Sequence, residues 1–196
     1  MIAQEILTRR SNLDESSGYS LAGSFTRDLI ASKVWLLTEL AHIAPQVGTI
    51  YVLGSWYGNL GVLIALDPIV KYKKLINVET DQKFLQASER IHNHLDMGNT
   101  EYMLADANTL DYRQLGRNGV VINTSLTDMP GQGWFDNIPK GTLVAMQSRD
   151  HDPGNAAHRT QDITDQYPLS EIIYAGELKL NDPETEYTRY MVIGIK

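Results

Sequence analysis

Three short stretches hold residues able to bind a ligand. The first is "YVLGSWYGNLG" (51–61), where Gly54, Gly58 and Gly61 punctuate a loop that also carries Trp56 and Tyr57. The second is "NVETD" (77–81), with Glu79 and Thr80, and the third "LADAN" (104–108), with Asp106 and Ala107. A glycine-rich turn between a strand and a helix aims backbone N–H groups and the positive end of the helix dipole at electron-rich ligand atoms. A carboxylate roughly 20 residues further on is where a ribose diol is held, since its oxygens can accept from both hydroxyls. Glu79 stands 25 residues after Gly54. Asp106, at the end of the following strand, offers an acceptor for the exocyclic amine of adenine. Each acid taken alone reads more simply as a solvated strand end or a helix cap. The glycines alone read equally as turn residues that let a helix pack closely on a strand. Three successive strands delivering fitting groups to one edge point to a nucleoside.

The loop also says which nucleoside derivatives to exclude. A dinucleotide fingerprint needs a glycine in its middle position so that the backbone can approach a pyrophosphate. Here that position is Trp56, and no Gly-Lys-Ser/Thr phosphate loop occurs. A nucleoside without phosphates is the better fit, and a nicotinamide-dependent oxidoreductase is disfavoured. An aromatic face at Trp56 or Tyr57 would suit a cationic ligand, whereas both side chains packed in the core is the plainer alternative.

Groups that could act on a bound substrate come later in the chain. "VVINTSLTDM" (120–129) ends a strand with Asn123, Thr124 and Ser125 and continues to Asp128, a possible base or a helix cap. "SRDHDPGNAAHR" (148–159) is polar and irregular, and its His151 could titrate near neutral pH. Asp150, His151, Asp152 and His158 match no standard metal spacing, so no metal is expected. His42, His92 and His94 read as structural or surface residues, the last two on an exposed helix.

The elements that must position these groups alternate. Residues 24–44 read as an amphipathic helix, with Leu29, Ile30, Val34, Leu37, Leu40 and Ala41 at helical spacing and Ser24 or Thr26 as its cap. Strands are expected at 49–53, 74–80, 101–105, 119–125 and 141–148, and helices at 59–67 and 81–95. Two strand-like runs, 170–178 and 188–196, flank the polar turn "NDPETE" and predict a closing hairpin. This order predicts one α/β domain over 1–196, a mostly parallel sheet ending in an antiparallel hairpin, preceded by an irregular arm over 1–23.

Composition narrows the function further. With 17 basic and 24 acidic side chains the net charge is −7, which disfavours nonspecific nucleic-acid binding. The absence of cysteine excludes disulfides, thiolate metal sites and thiol nucleophiles. The longest apolar run, "VLIAL" (62–66), is far short of a membrane span, so a cytoplasmic protein is expected.

The arrangement resembles the class I S-adenosylmethionine-dependent methyltransferases, from about residue 24 to the end, including small members encoded by tailed phages. "YVLGSWYG" resembles the first motif, an acid followed by three spaced glycines, with Gly54 and Gly58 as the first and third. "NVETD" resembles the second, "LADAN" the third and "VVINTSLTDM" the fourth. Two departures stand out: Val52 replaces the usual acid and Trp56 the middle glycine. The fourth motif is "NTSL" rather than the Asn/Asp-Pro-Pro-Tyr of many DNA amino-methyltransferases. The resemblance implies a Rossmann-like seven-stranded methyltransferase fold and S-adenosyl-L-methionine as cofactor. Together with the reading of the loops, it gives Gly54, Trp56, Tyr57, Gly58, Glu79, Thr80, Asp106, Ala107, Asn123 and Ser125 as expected cofactor contacts, while the place of Asn123 and Asp128 after their strand and of His151 in its polar loop makes these three the catalytic candidates. The expected acceptor is a small molecule or a protein side chain. A non-catalytic module that keeps the fold for binding or regulation is the alternative.

Overall fold

The computed structural model describes residues 21–67, 69–95, 97–129, 131–150, 156–181 and 186–196. Its core is a seven-stranded sheet of order β3-β2-β1-β4-β5-β7-β6. The strands are β1 (Thr49–Leu53), β2 (Lys74–Glu79), β3 (Thr100–Leu104), β4 (Val120–Asn123), β5 (Leu143–Arg149), β6 (Glu171–Asn181) and β7 (Glu186–Ile195). The first five are mutually parallel, and β7 runs antiparallel between β5 and β6. This is the Rossmann-like methyltransferase fold with its closing antiparallel hairpin.

The sequence explains why the central strands lie inside. Every residue of β1 is buried, because "TIYVL" offers apolar or β-branched side chains to both faces. Ile50 and Val52 pack on one face with Leu36, Leu40 and Ile64. Tyr51 and Leu53 pack on the other with Ile76, Trp134 and Tyr167. The period-2 alternation of a strand therefore feeds two cores rather than one core and solvent.

The helices that form the first of these cores are α2 (Arg27–Ile43) and α3 (Asn59–Leu66). Residues 21–23, expected to be irregular, belong instead to a short helix, α1 (Leu21–Ser24), tied at its end by Ser24 Oγ donating to the Leu21 carbonyl. The remainder of the expected arm lies outside the described residues. Thr26 is the N-cap of α2, and Ser24 is not. The buried stripe of α2 runs through Asp28, Ser32, Leu36, Leu37 and Leu40, so Val34, expected inside, is 47% exposed. The buried stripe carries polar groups, which the apolar periodicity alone did not follow.

Beyond β2 lies α4 (Gln82–Asn93), whose N-cap Asp81 accepts from the Lys83 amide at 2.7 Å. Two helices without a clear sequence signal complete the layer against the second core: α5 (Gly133–Asp136) and α6 (Thr160–Gln166). They bring Trp134, Phe135 and Ile163 into it. No described helix is long and apolar enough to cross a membrane.

Candidate functional site

Strand order reverses at β1: β2 and β3 extend to one side of it, β4 and β5 to the other. In open α/β sheets the loops diverge at such a switch point and leave a crevice at the carboxyl ends of the strands. A cleft of about 550 Å³ lies there, bordered by the ends of β1, β2, β3 and β4 and roofed by α2. Gly54, Glu79 and Asp106, placed on three different strand ends by the sequence, all line it. Its volume falls within the ~300–1,000 Å³ of small-molecule sites.

The loop after β1 owes its path to three left-handed residues: Gly54 (φ +59°), Trp56 (φ +52°) and Gly58 (φ +75°). Gly54 faces the β4 side, where an added Cβ would stand 3.2 Å from Ser125 Cβ. Gly58 backs onto α4, where a Cβ would stand 2.1 Å from Ser88 Oγ and 2.6 Å from His92 Nε2. Gly61, inside α3, approaches the same imidazole. The glycines thus do both things the sequence allowed: they turn the chain, and they let α3 and α4 meet.

His92 is the counterpart of that packing, and it is buried rather than on an exposed face. Its Nε2 lies 3.0 Å from the Gly58 carbonyl, which can only accept, so Nε2 carries the proton. Nδ1, 2.8 Å from the Tyr102 hydroxyl, therefore accepts from it. Burial holds the imidazole below its ordinary pKa, partly offset by the Gly58 bond, and keeps it neutral.

Trp56 and Tyr57 divide between the two expected environments. Tyr57 is buried behind the loop, 5.0 Å from the Phe84 ring centroid, and does not line the cleft. Trp56 is half-buried, lines the cleft and packs on Tyr57 at 5.1 Å and Phe84 at 6.2 Å. Gly58 likewise stands behind the wall.

The two acids differ in how much of their acceptor capacity remains. Glu79 Oε2 accepts from the Trp56 amide at 2.8 Å. Its Oε1 accepts from the amides of Thr80 (2.8 Å) and Asp81 (3.1 Å) and from the Thr80 hydroxyl (3.3 Å). Glu79 is thus a strut between the β1 and β2 loops, with room for a further donor on Oε2. Asp106 caps a 3-10 turn (Ala107–Thr109), its Oδ1 accepting from the Asn108 amide at 2.9 Å and side chain at 3.2 Å. Those bonds leave Oδ2 for a ligand. Thr80 and Ala107 also line the cleft.

At the β4 end, Asn123 is fully buried and engaged internally. Its Oδ1 accepts from the Ser125 amide at 2.9 Å and its Nδ2 lies 3.4 Å from Met129 Sδ. It shapes the loop and does not line the cleft; Thr124, Ser125 and Asp128 do. Asp128 sits in a turn, its amide donating to the Ser125 carbonyl at 3.0 Å, rather than capping a helix. His151 lies outside the described residues. Among the described residues no cluster of histidine and acid side chains could hold a metal ion.

Sequence reasoning missed Lys33, Arg149 and Arg189, which line the cleft beside Thr124. Lys33 Nζ donates to Thr124 Oγ1 at 3.0 Å, and Arg189 Nη1 to the Thr124 carbonyl at 3.2 Å. Desolvation, then the Arg189 and Arg149 charges, holds the Lys33 amine well below its ordinary pKa, with Asp128 opposing. The signal for Lys33 was present: it falls three and four residues after Ile30 and Leu29, on the helix face that turns inward. Arg189 had none, because a β7 position near a hairpin turn normally reaches solvent.

No family model matches the chain, and no curated protein does. Solved structures share its fold. The N-methyltransferase NodS from Bradyrhizobium japonicum, in complex with S-adenosyl-L-homocysteine, superposes with a TM-score of 0.63 over 97% of this chain and 97% of its own, at 13% identity. Magnesium protoporphyrin IX methyltransferase (ChlM) from Synechocystis, with bound SAM, gives 0.57 over 84% and 77%, at 13% identity. An rRNA methylase from Streptococcus thermophilus gives 0.54 over 88% and 99%, at 18% identity. These likenesses establish the fold, and the residues of the cleft must carry the chemistry.

Proposed function

We propose that the protein is an S-adenosyl-L-methionine-dependent methyltransferase acting on a small molecule or a protein side chain. One observation carries this reading: Gly54, Glu79 and Asp106 line a single cleft at the switch point of a methyltransferase fold. The donor set fits the cofactor. Glu79 Oε2 could take a ribose hydroxyl in addition to the Trp56 amide, Asp106 Oδ2 the adenine amine, and Ala107, which lines the cleft beside Asp106, would offer its backbone to the base. Nothing in the loop requires a phosphate, and Trp56 borders the cleft where a cation is favoured by an aromatic face, by roughly 0.5–2 kcal/mol.

When bound, the cofactor supplies an electrophilic methyl group. The chain's own residues must orient the acceptor in line with it and exclude water, which can account for a large part of a transfer rate. Thr124, Ser125 and Asp128 line the cleft at the β4 end and are our candidates for that task, with Asp128 as the carboxylate that would take a proton from the acceptor. Asn123 acts through the Ser125 amide, as a positioning residue.

Calorimetric titration with S-adenosylmethionine, S-adenosylhomocysteine and NAD(H) tests the reading. Saturable heat for the first two and none for the third is expected, followed by S-adenosylhomocysteine formation in a cell extract. Binding of NAD(H) alone would refute it. Cofactor binding with no product formed across extracts would identify a binding or regulatory module on the same fold.

A further inference from the structure

The cleft is polarised. Glu79 and Asp106 mark its β2–β3 end, while Lys33, Arg149 and Arg189 converge at its β4–β5–β7 end. The chain is acidic, at −7, so three cations drawn to one end of one cleft oppose its general charge. They come from three separate elements: Lys33 from α2, Arg149 from the end of β5, and Arg189 from the β7 position paired with it. Asp128 is an acid that opposes Lys33 and Arg189 there. Arg189 is 5% exposed, and its buried Nε has no hydrogen-bond partner among the described residues. A buried guanidinium nitrogen without an acceptor is costly, and like charges crowded beside it add to the cost. The neighbouring acid Asp28 accepts from the Tyr187 hydroxyl and also opposes the Arg189 charge, but it does not supply Nε with an acceptor.

Resting on the methyltransferase reading, we propose that this end of the cleft binds an anionic group, a carboxylate or a phosphate ester, on a small-molecule methyl acceptor. Glu79 and Asp106 hold the nucleoside at the opposite end, so the acceptor reaches the methyl from the β4–β5 side. Its anion meets the planar donors of Arg189 and Arg149, which suit oxyanions, and the ammonium of Lys33. Thr124, held by both Lys33 and Arg189, lines the cleft beside this subsite. The anion also relieves the repulsion among the cations, raising the depressed pKa of Lys33.

The test uses the full chain saturated with S-adenosylhomocysteine. It is titrated calorimetrically with inorganic phosphate and, separately, with succinate, at constant ionic strength. Saturable binding of at least one probe is expected; preference for phosphate assigns a phosphate ester, preference for succinate a carboxylate. Arg189→Met is expected to weaken that binding about tenfold or more. Lys33→Met, at a half-buried position that retains an apolar stem, weakens it about threefold or more and keeps the test valid if the arginine variant fails to fold. Affinity for S-adenosylhomocysteine stays within about twofold in both variants, below ~0.5 kcal/mol. Absence of saturable binding by either probe, or equal binding by wild type and a folded variant, overturns the proposal. So does a loss of S-adenosylhomocysteine affinity matching the loss of anion binding, since the cations would then hold the cofactor's own carboxylate. A wild-type protein that binds no S-adenosylhomocysteine refutes the methyltransferase reading instead, and phosphate titration of the ligand-free chain still reports on the basic end.

Discussion

Glu79 offers the sharpest perturbation because its carboxylate has two separable duties. It accepts four hydrogen bonds, from the amides of Trp56, Thr80 and Asp81 and from the Thr80 hydroxyl. It is also proposed to take a ribose hydroxyl. Hydrogen bonds to a charged acceptor are worth about 1.5–3 kcal/mol each when buried. Only the Trp56 bond is partly buried, and the contacts to Thr80 and Asp81 are exposed and screened. Glu79→Ala should therefore cost about 2–3 kcal/mol of stability, a fall in Tm of about 4–12 °C for a chain of this size. Removal of the ribose contact should weaken S-adenosylhomocysteine by about 10–150-fold, equivalent to 1.5–3 kcal/mol. Glu79→Gln is the discriminating companion. Its carbonyl can still serve Thr80 and Asp81, but its NH2 then faces the Trp56 N–H, donor against donor.

Three measurements separate the duties: thermal melting, calorimetric affinity, and hydrogen exchange at the Trp56 amide. Both variants should exchange faster at Trp56, and the glutamine variant should keep more stability than the alanine one while losing comparable affinity. If Glu79→Ala lowers Tm as expected but binds S-adenosylhomocysteine as well as wild type does, Glu79 is a strut alone and the ribose assignment fails. If neither Tm nor Trp56 exchange moves, the account of the loop fails as well.

Gly58→Ala should lose about 2–5 kcal/mol in urea denaturation, from a left-handed φ and a Cβ 2.1 Å from Ser88 Oγ, whereas Gly116→Ala, at φ +66° with no atom near, should lose only about 1–2 kcal/mol. Trp56→Leu should weaken S-adenosylmethionine about 2–30-fold relative to S-adenosylhomocysteine, which lacks the sulfonium charge; equal weakening of both in calorimetry would remove the aromatic–cation contact. The folded pKa of His92 lies below its ordinary 6.5, so in the window just below 6.5 the unfolded chain binds the extra proton and stability falls as pH falls. Melting curves from pH 7.5 to 5 should therefore decline more steeply for wild type than for His92→Gln, and parallel curves would contradict the buried neutral imidazole.

The elements legible in the sequence were those whose pattern is local. "TIYVL" is a run of apolar and β-branched residues that suits a buried strand, "KLINVE" is one interrupted only by Asn77 between charged ends, and the hairpin announced itself through its polar turn. The three cleft-facing strand ends followed from the same pattern: Gly54 comes directly after β1, Glu79 is the last residue of β2, and Asp106 stands two residues past the end of β3. What stayed hidden depends on partners far away in sequence. His92 sits on a helix that is polar overall, and only the close approach allowed by Gly58 and Gly61 makes its position an interior one. Arg189 is buried because β7 is inserted between β5 and β6, a placement that the succession of strands along the chain does not reveal. Helices α5 and α6 are short, and their apolar residues reach the core through Trp134 and Ile163 rather than through a repeating face.

The substitution of tryptophan for the middle glycine of the loop becomes intelligible on the same terms. A bulky residue at φ +52° costs about 1–2 kcal/mol. Two aromatic contacts, with Tyr57 and Phe84, return about 0.5–1.5 kcal/mol each, and the peptide N–H is fixed by Glu79. The strain and the contacts therefore nearly cancel, so the loop keeps its glycine-like path while presenting an indole where a bare backbone would otherwise face the cleft. A pyrophosphate needs that bare backbone, and a sulfonium nucleoside does not. On the proposed function, the departure that makes the motif hard to recognise would select among nucleotide ligands rather than abolish the site. It leaves ligand charge to be met by the indole in the loop and by the guanidiniums beyond β4.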